Sequence, residues 1–139
     1  MRNTISRFRN DQSGAVAVEF VLIAPILLTL LFGIITVGYF MGVSHSVSQL
    51  AAGAARSSVA GLDTIEREAL ATAYLDQASV RYPLLIQDAV THSVSFDDET
   101  TAGIFVDVTY GVEGSLLEIA NSFLGFGITT IDGSAYVAY

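Results

Sequence analysis

Apolar residues fill the first third of the chain, and shorter segments with the apolar–polar patterns of helices and strands follow. Residues 15–43 are almost entirely apolar, with Glu19 as their one charged residue, and residues 20–55 contain no Asp, Glu, Lys or Arg. As a helix, residues 20–43 would span roughly 36 Å at about 1.5 Å per residue. A bilayer hydrocarbon core of about 30 Å needs about 20 such residues. The pattern therefore predicts a transmembrane helix over residues 15–43, with length to spare for tilt.

The residues before the apolar run are basic. Arg2, Arg7 and Arg9 precede it, and Asp11 is the only charge that opposes them. Positive charges beside a span stay in the cytoplasm. The chain is therefore expected to have a cytoplasmic leader over residues 1–14 and an external domain over residues 44–139.

Two other interpretations of the apolar run are weaker. A secretory signal peptide has an apolar core of about 7–15 residues that ends at a small-residue cleavage site, whereas this run is longer and leads into further helical pattern. A buried helix of a soluble protein would need apolar cover on all sides, and a chain of 139 residues is too short to supply it.

Helical signals continue beyond the span. The first helix is expected to reach about Ala60 and stop at Gly61, because glycine commonly terminates helices. Residues 63–66 read Asp-Thr-Ile-Glu, a capping-box pattern that begins a second helix reaching about Val80. The same pattern, Ser-Leu-Leu-Glu at residues 115–118, begins a short helix that Gly125 ends.

The remaining segments have the period of strands. Residues 90–96 and 104–110 alternate apolar with polar positions, which is typical of half-buried strands, and residues 97–103 form the turn between them. Residues 128–139 predict a last strand, with a bend or bulge at Asp132 and Gly133. The fold class is therefore α+β, with a long helix packed on an antiparallel sheet of three or four strands.

Composition narrows the function classes. The net charge is −8, with six Arg and no Lys, which leaves no basic face for nucleic acid. There is no cysteine, so disulfides, thiol catalysis and Cys-based metal sites are excluded. No pattern in the chain calls for a cofactor or a small-molecule substrate.

The most informative motif crosses the junction between leader and helix. It reads Gly14-Ala15-Val16-Ala17-Val18-Glu19-Phe20. A carboxylate at the start of a span costs a few kcal/mol unless it is compensated. Cleavage after Gly14 would create an α-amino group on Ala15, one helical turn from Glu19, and Glu19 could neutralise that amine in its own chain or in a neighbouring subunit. Glycine before the bond also lets a peptidase approach the backbone closely.

This junction resembles that of a type IV prepilin or pseudopilin. The residues that follow, VEFVLIAPILL at 18–28, LFGII at 31–35 and QLAAGAAR at 49–56, are similar to the TadE-like family of the tight-adherence (Tad/Flp) pilus system. The resemblance implies a pilin-like fold, insertion in the bacterial inner membrane, processing by a prepilin peptidase between Gly14 and Ala15, and registration of subunits by Glu19 and Phe20. It also implies a minor pilin or pseudopilin that acts with other pilins and the assembly machinery of an adhesive pilus. The resemblance leaves three places open for the mature protein: in the pilus filament, at its cap, or in the membrane as an assembly factor.

Two features inside the span have a functional and an ordinary interpretation. Pro25 lacks a backbone N–H and is expected to kink or loosen the helix, which either helps a subunit leave the bilayer or has no role. Gly38 and Gly42 have the G-x-x-x-G spacing that permits close helix packing, although chance occurrence in a Gly-rich span is common.

Candidate chemistry outside the membrane is thin. Asp97, Asp98 and Glu99 could bind calcium, but consecutive acids in a turn are more often solvated. His45 and His92 lack the partners of a metal or catalytic site. The chain is therefore not expected to be an enzyme. The main alternative to a pilin is a permanently anchored, single-span envelope protein whose acidic external domain is a binding module.

Overall fold

The computed structural model describes residues 12–97 and 102–139. These fall into two units, which divide between Ile35 and Thr36. The elements in chain order are α1 (Gln12–Ser58), α2 (Thr64–Leu75), α3 (Ala78–Arg81), a short 3-10 helix (Gln87–Ala89), β1 (Val90–Asp97), β2 (Gly103–Gly111), α4 (Leu116–Leu124) and β3 (Thr130–Ala138). The α+β class, the long N-terminal helix and the antiparallel sheet, which has three strands, are confirmed.

Helix α1 contributes to both units, and its later part supplies one wall of the core. Buried side chains recur there every three or four residues, at Val43, Val47, Leu50, Ala54 and Ser58. This spacing places them on one helix face. Residues 36–43, which the sequence assigns to the span, belong to the second unit.

Strand β2 lies between the other two strands. Tyr110 of β2 pairs with Val90 on one side and with Ile131 on the other, and both pairings are antiparallel. Alternate residues of β2 point into the core because side chains alternate across a strand. Its buried residues are Ile104, Val106, Val108 and Tyr110.

The bend or bulge predicted at Asp132 and Gly133 is wrong. Strand β3 pairs with β2 without interruption, with Gly133 opposite Val108. A Cβ at Gly133 would come within 3.0 Å of the backbone of Val47 and Ser48 in α1. Glycine is therefore needed because the sheet and the helix backbone approach closely, which is a second reason for glycine in a strand.

The second helix is shorter than predicted. It was expected to reach about Val80, but α2 ends at Leu75 and α3 follows as a separate turn. The side chain of Gln87 closes the break: its amide N–H donates to the carbonyl of Leu75 (3.1 Å), and its oxygen accepts from the backbone N–H of Ser79 (3.2 Å). This tertiary contact satisfies the backbone groups that the break exposes.

The predicted cap at Gly61 is close in position but different in cause. Helix α1 ends at Ser58, and the Gly61 N–H donates to the carbonyl of Ser58 (3.0 Å). Gly61 does not have a positive φ. A Cβ there would lie 2.7 Å from the backbone nitrogen of Arg67, so close packing against α2 selects the glycine.

Both predicted N-terminal caps form. The Asp63 carboxylate accepts from the backbone N–H of Glu66 (2.8 Å), and the Glu66 carboxylate accepts from that of Leu62 (2.8 Å). Ser115 and Glu118 make the corresponding pair of contacts at α4. In the usual capping box, the glutamate carboxylate accepts from the N–H of the N-cap residue. Here the Glu66 and Glu118 carboxylates accept from the N–H of the residue before it.

Candidate functional site: the N-terminal helix

The predicted cleavage bond lies in the first turn of α1. The helix begins at Gln12, so the bond between Gly14 and Ala15 is helical, and Gly14 is exposed, with no atom within 4 Å of a Cβ built on it. Glycine disfavours a helix interior, by about 1 kcal/mol relative to alanine. Opening the helix at Gly14 therefore costs less than opening it at the alanine and valine residues that follow.

Glu19 and Phe20 lie one turn further along, and both are exposed. Phe20 is 67% exposed. Position 19 follows position 15 by four residues, which puts the two on the same helix face, about one turn apart. The structure therefore presents the Glu19 carboxylate at the surface of an apolar helix, where a second subunit can reach it.

The residues around this motif expose their apolar side chains. Leu22, Ile26 and Phe32 are each at least 60% exposed. The helix contains a segment of mean hydropathy 2.7 in which no residue is buried, and by length and composition it could cross a membrane. Residues 16–35, the part before the second unit, would span about 30 Å as a helix, which matches a bilayer core.

Pro25 lies inside α1 without ending it. Because proline has no N–H, the carbonyl one turn before it loses its helical donor. One turn after it, the hydroxyl of Thr29 donates to the Pro25 carbonyl (2.8 Å). Serine and threonine hydroxyls commonly bond back in this way in membrane helices.

The two glycines of the G-x-x-x-G spacing have different surroundings. A Cβ on Gly38 would meet no atom within 4 Å, whereas one on Gly42 would lie 3.0 Å from Cδ1 of Leu84. Gly42 therefore makes room for a side chain of its own unit, and Gly38 leaves an open surface. Packing of another helix at Gly38 stays a prediction.

The small residues after the span serve the core of the second unit. Ala51, Ala54 and Ala55 are fully buried, and the ring of Tyr74 lies directly on Gly53. These small residues therefore allow close packing within the second unit.

Arginines of the second unit lie against aromatic rings. Cζ of Arg67 is 3.4 Å from the ring centroid of Tyr139, and that of Arg81 is 4.0 Å from the centroid of Tyr74. Such cation–π contacts are worth about 0.5–1 kcal/mol at exposed sites. They tie α2 to the sheet and to α3.

The other candidate ligands do not form a site in the described part of the chain. Asp98 and Glu99 lie outside the described residues, while His45 and His92 are exposed. Across residues 12–97 and 102–139, no three His, Asp or Glu side chains group together as metal ligands would.

One exposed apolar surface lies outside the site residues that the sequence predicts. Leu116, Ile119 and Phe123 of α4 are 56%, 54% and 84% exposed. Their spacing marks a second apolar face on a helix that already buries Leu117 and Ala120. Apolar residues on both faces of a short helix were the signal in the sequence.

A long exposed apolar helix joined to a small α+β domain defines a candidate single-span membrane protein. Residues 14–56 match the family model described as TadE-like protein. This confirms the resemblance over those residues, so the segment from Gly14 to Arg56 is similar to TadE-like proteins. Comparisons with curated proteins and with solved structures find no match.

Proposed function

We propose that the chain is a minor pilin or pseudopilin of a Tad/Flp-type adhesive pilus. It is inserted in the bacterial inner membrane with its N-terminus in the cytoplasm and the domain after α1 outside. The observation that carries this proposal is the TadE-like match, which begins at Gly14 and includes Glu19 and the whole apolar segment. The proposed role is assembly, with no enzymatic activity.

The proposal includes processing by a prepilin peptidase between Gly14 and Ala15. The exposed position of Gly14, with no atom within 4 Å of a Cβ built on it, supports it. N-terminal sequencing of the protein from its native host is expected to begin at Ala15. Gly14→Leu should block cleavage, with Gly38→Leu as the matched control, since both glycines lie in open surroundings of the same helix. An intact leader on the wild-type protein would rule the processing step out.

The proposal assigns subunit registration to Glu19. Its carboxylate would neutralise the Ala15 amine of a neighbouring subunit, and in a bilayer an unpaired charge is costly. Glu19→Ala should leave cleavage intact and reduce pilus formation, while Glu19→Asp should retain part of it. Normal pili in the Glu19→Ala strain would remove this role.

A permanent membrane anchor is the second candidate. It is favoured by the continuity of α1 through Gly14 and Ala15, which an uncleaved anchor needs. In that case the leader stays on the mature protein, and Gly14→Leu has no effect on it.

A further inference from the structure

The second unit has two ends that its own contacts define. At one end, the Gly61 carbonyl accepts from the Arg67 side chain, which lies on the ring of Tyr139 after β3. At the other end, Gly42 of α1 meets Leu84. We call the first the distal end and the second the proximal end.

The α4 segment lies at the proximal end. Gly133 meets α1 at Val47, and from there β3 runs towards Tyr139 at the distal end. The opposite end of β3 begins at Thr130, which pairs with Gly111 at the end of β2. The connection between these strands, which contains α4, is therefore at the proximal end of the second unit.

The connection is built to expose apolar side chains. Beyond α4, Gly125 and Gly127 have positive φ values of 67° and 66°, a conformation that favours glycine, and Phe126 between them is 52% exposed. The side chain of Asn121 bonds both the N–H and the carbonyl of Ile128, which closes this loop. The backbone conformation of the two glycines and the hydrogen bonds of Asn121 thus hold the Phe126 side chain outward.

The residues of this surface are mostly uncharged. Residues 119–131 contain no Asp, Glu, Lys or Arg. The exposed Glu118 lies between Leu116 and Ile119, and its carboxylate accepts from the backbone N–H of Gly114 (2.7 Å). At the distal end, the exposed Leu62 and Ile65 lie beside two acids, Asp63 and Glu66. Exposed leucine, isoleucine and phenylalanine side chains are suited to the boundary between lipid headgroups and acyl chains.

We infer that the proximal surface, defined by Leu116, Ile119, Phe123 and Phe126, rests on the lipid bilayer into which α1 inserts. The choice of lipid follows from the chain order of α1, because Gly42 at the proximal end directly follows the exposed apolar residues of that helix. Short amphipathic segments bury their apolar face about 5–10 Å into the headgroup and acyl boundary. The inference rests on the proposed membrane insertion of α1 and adds a second membrane contact to it.

Single tryptophans can test this contact, since the chain has none of its own. Full-length Phe123→Trp, Ile119→Trp, Leu62→Trp and Leu28→Trp variants would be placed in phosphatidylcholine vesicles with or without brominated acyl chains. Bromine should quench Phe123→Trp and Ile119→Trp severalfold more than Leu62→Trp, with emission at shorter wavelength. Leu28→Trp, in the apolar segment, should be quenched whenever the acyl chains are brominated.

Each other result separates the two claims. Quenched Leu28→Trp with Phe123→Trp as unquenched and water-exposed as Leu62→Trp would overturn the lipid contact and leave the anchor standing. Short-wavelength emission from Phe123→Trp without bromine quenching would also overturn it, since a protein partner would then cover the surface. Unquenched Leu28→Trp would overturn the membrane insertion itself, and the contact with it.

Discussion

The two parts of α1 are built from similar apolar residues but meet different surroundings. Before Thr36, large side chains such as Phe20 and Ile26 are more than 60% exposed, whereas Val47 and Leu50 in the second unit are fully buried. The upstream part has no protein core to bury its side chains, so a bilayer is the solvent that suits it. The downstream part owes its burial to the sheet. One helix thus serves both as a candidate membrane anchor and as the wall of a domain core.

The largest effect should come from truncating the same residue type in each part. Leu50→Ala removes a fully buried side chain, which should lower the free energy of unfolding of the second unit by about 2–5 kcal/mol. Leu28→Ala, at an exposed site, should leave it unchanged. Denaturation in mild detergent, followed by near-ultraviolet circular dichroism, reports on this unit because all six tyrosines lie within it. Equal losses in the two variants would contradict the division.

Glycine substitutions should sharpen the same contrast. Gly133→Ala puts a methyl group 3.0 Å from the backbone of α1, and overpacking of this kind costs about 1–3 kcal/mol. Gly38→Ala enters open space and should be neutral, or stabilise the helix by about 0.5–1 kcal/mol. The same unfolding measurement checks both variants. A neutral Gly133→Ala would show that the sheet and helix can separate without loss.

Removing the buried hydroxyl group of Tyr110 should stabilise the second unit. Tyr110 is fully buried, and its hydroxyl has no hydrogen-bond partner among the described residues. An unsatisfied buried polar group costs about 1–3 kcal/mol, so Tyr110→Phe should raise the free energy of unfolding by about 1 kcal/mol. Tyr139→Phe, which keeps its ring on Arg67, is the neutral control. Destabilisation by Tyr110→Phe would reveal a hydrogen bond at this hydroxyl.

The smallest effect should be a pH dependence in the second unit. Burial, followed by a hydrogen bond with Tyr74, raises the pKa of Tyr82 above its ordinary value of 10.0. The unfolded chain then loses this proton first, so stability is constant below about pH 10 and falls as pH rises through the folded pKa. Tyr82→Phe should make this alkaline decline shallower. An identical decline in the variant would assign it to other groups.

The local patterns predicted much of the fold correctly. Alternation located β1 and β2, and the capping residues Asp63 and Ser115 located two helix starts, because these signals act between residues close in the chain. The predictions that failed concern features that depend on contacts between residues distant in the chain. Gln87, twelve residues later, bonds the backbone at the break after Leu75, and the close approach of α1 explains the glycine at position 133.

The candidate site divides in the same way. The spacing of Gly14 and Glu19 before an apolar run is a property of the sequence, and the TadE-like match confirms the family resemblance of that segment. What the small residues after the span pack against was open, because small residues permit close approach to any surface. Only the folded domain shows Tyr74 on Gly53 and Leu84 beside Gly42.

Sequence alone thus determined a long apolar helix, its basic leader, the junction motif and the α+β class, since hydropathy and periodicity act along the chain. Tertiary structure decided where that helix stops being exposed, which glycines serve close contacts, and that the apolar tip of α4 lies at the proximal end. The reason is physical: burial depends on which distant residues meet, and that depends on the register of the sheet against α1.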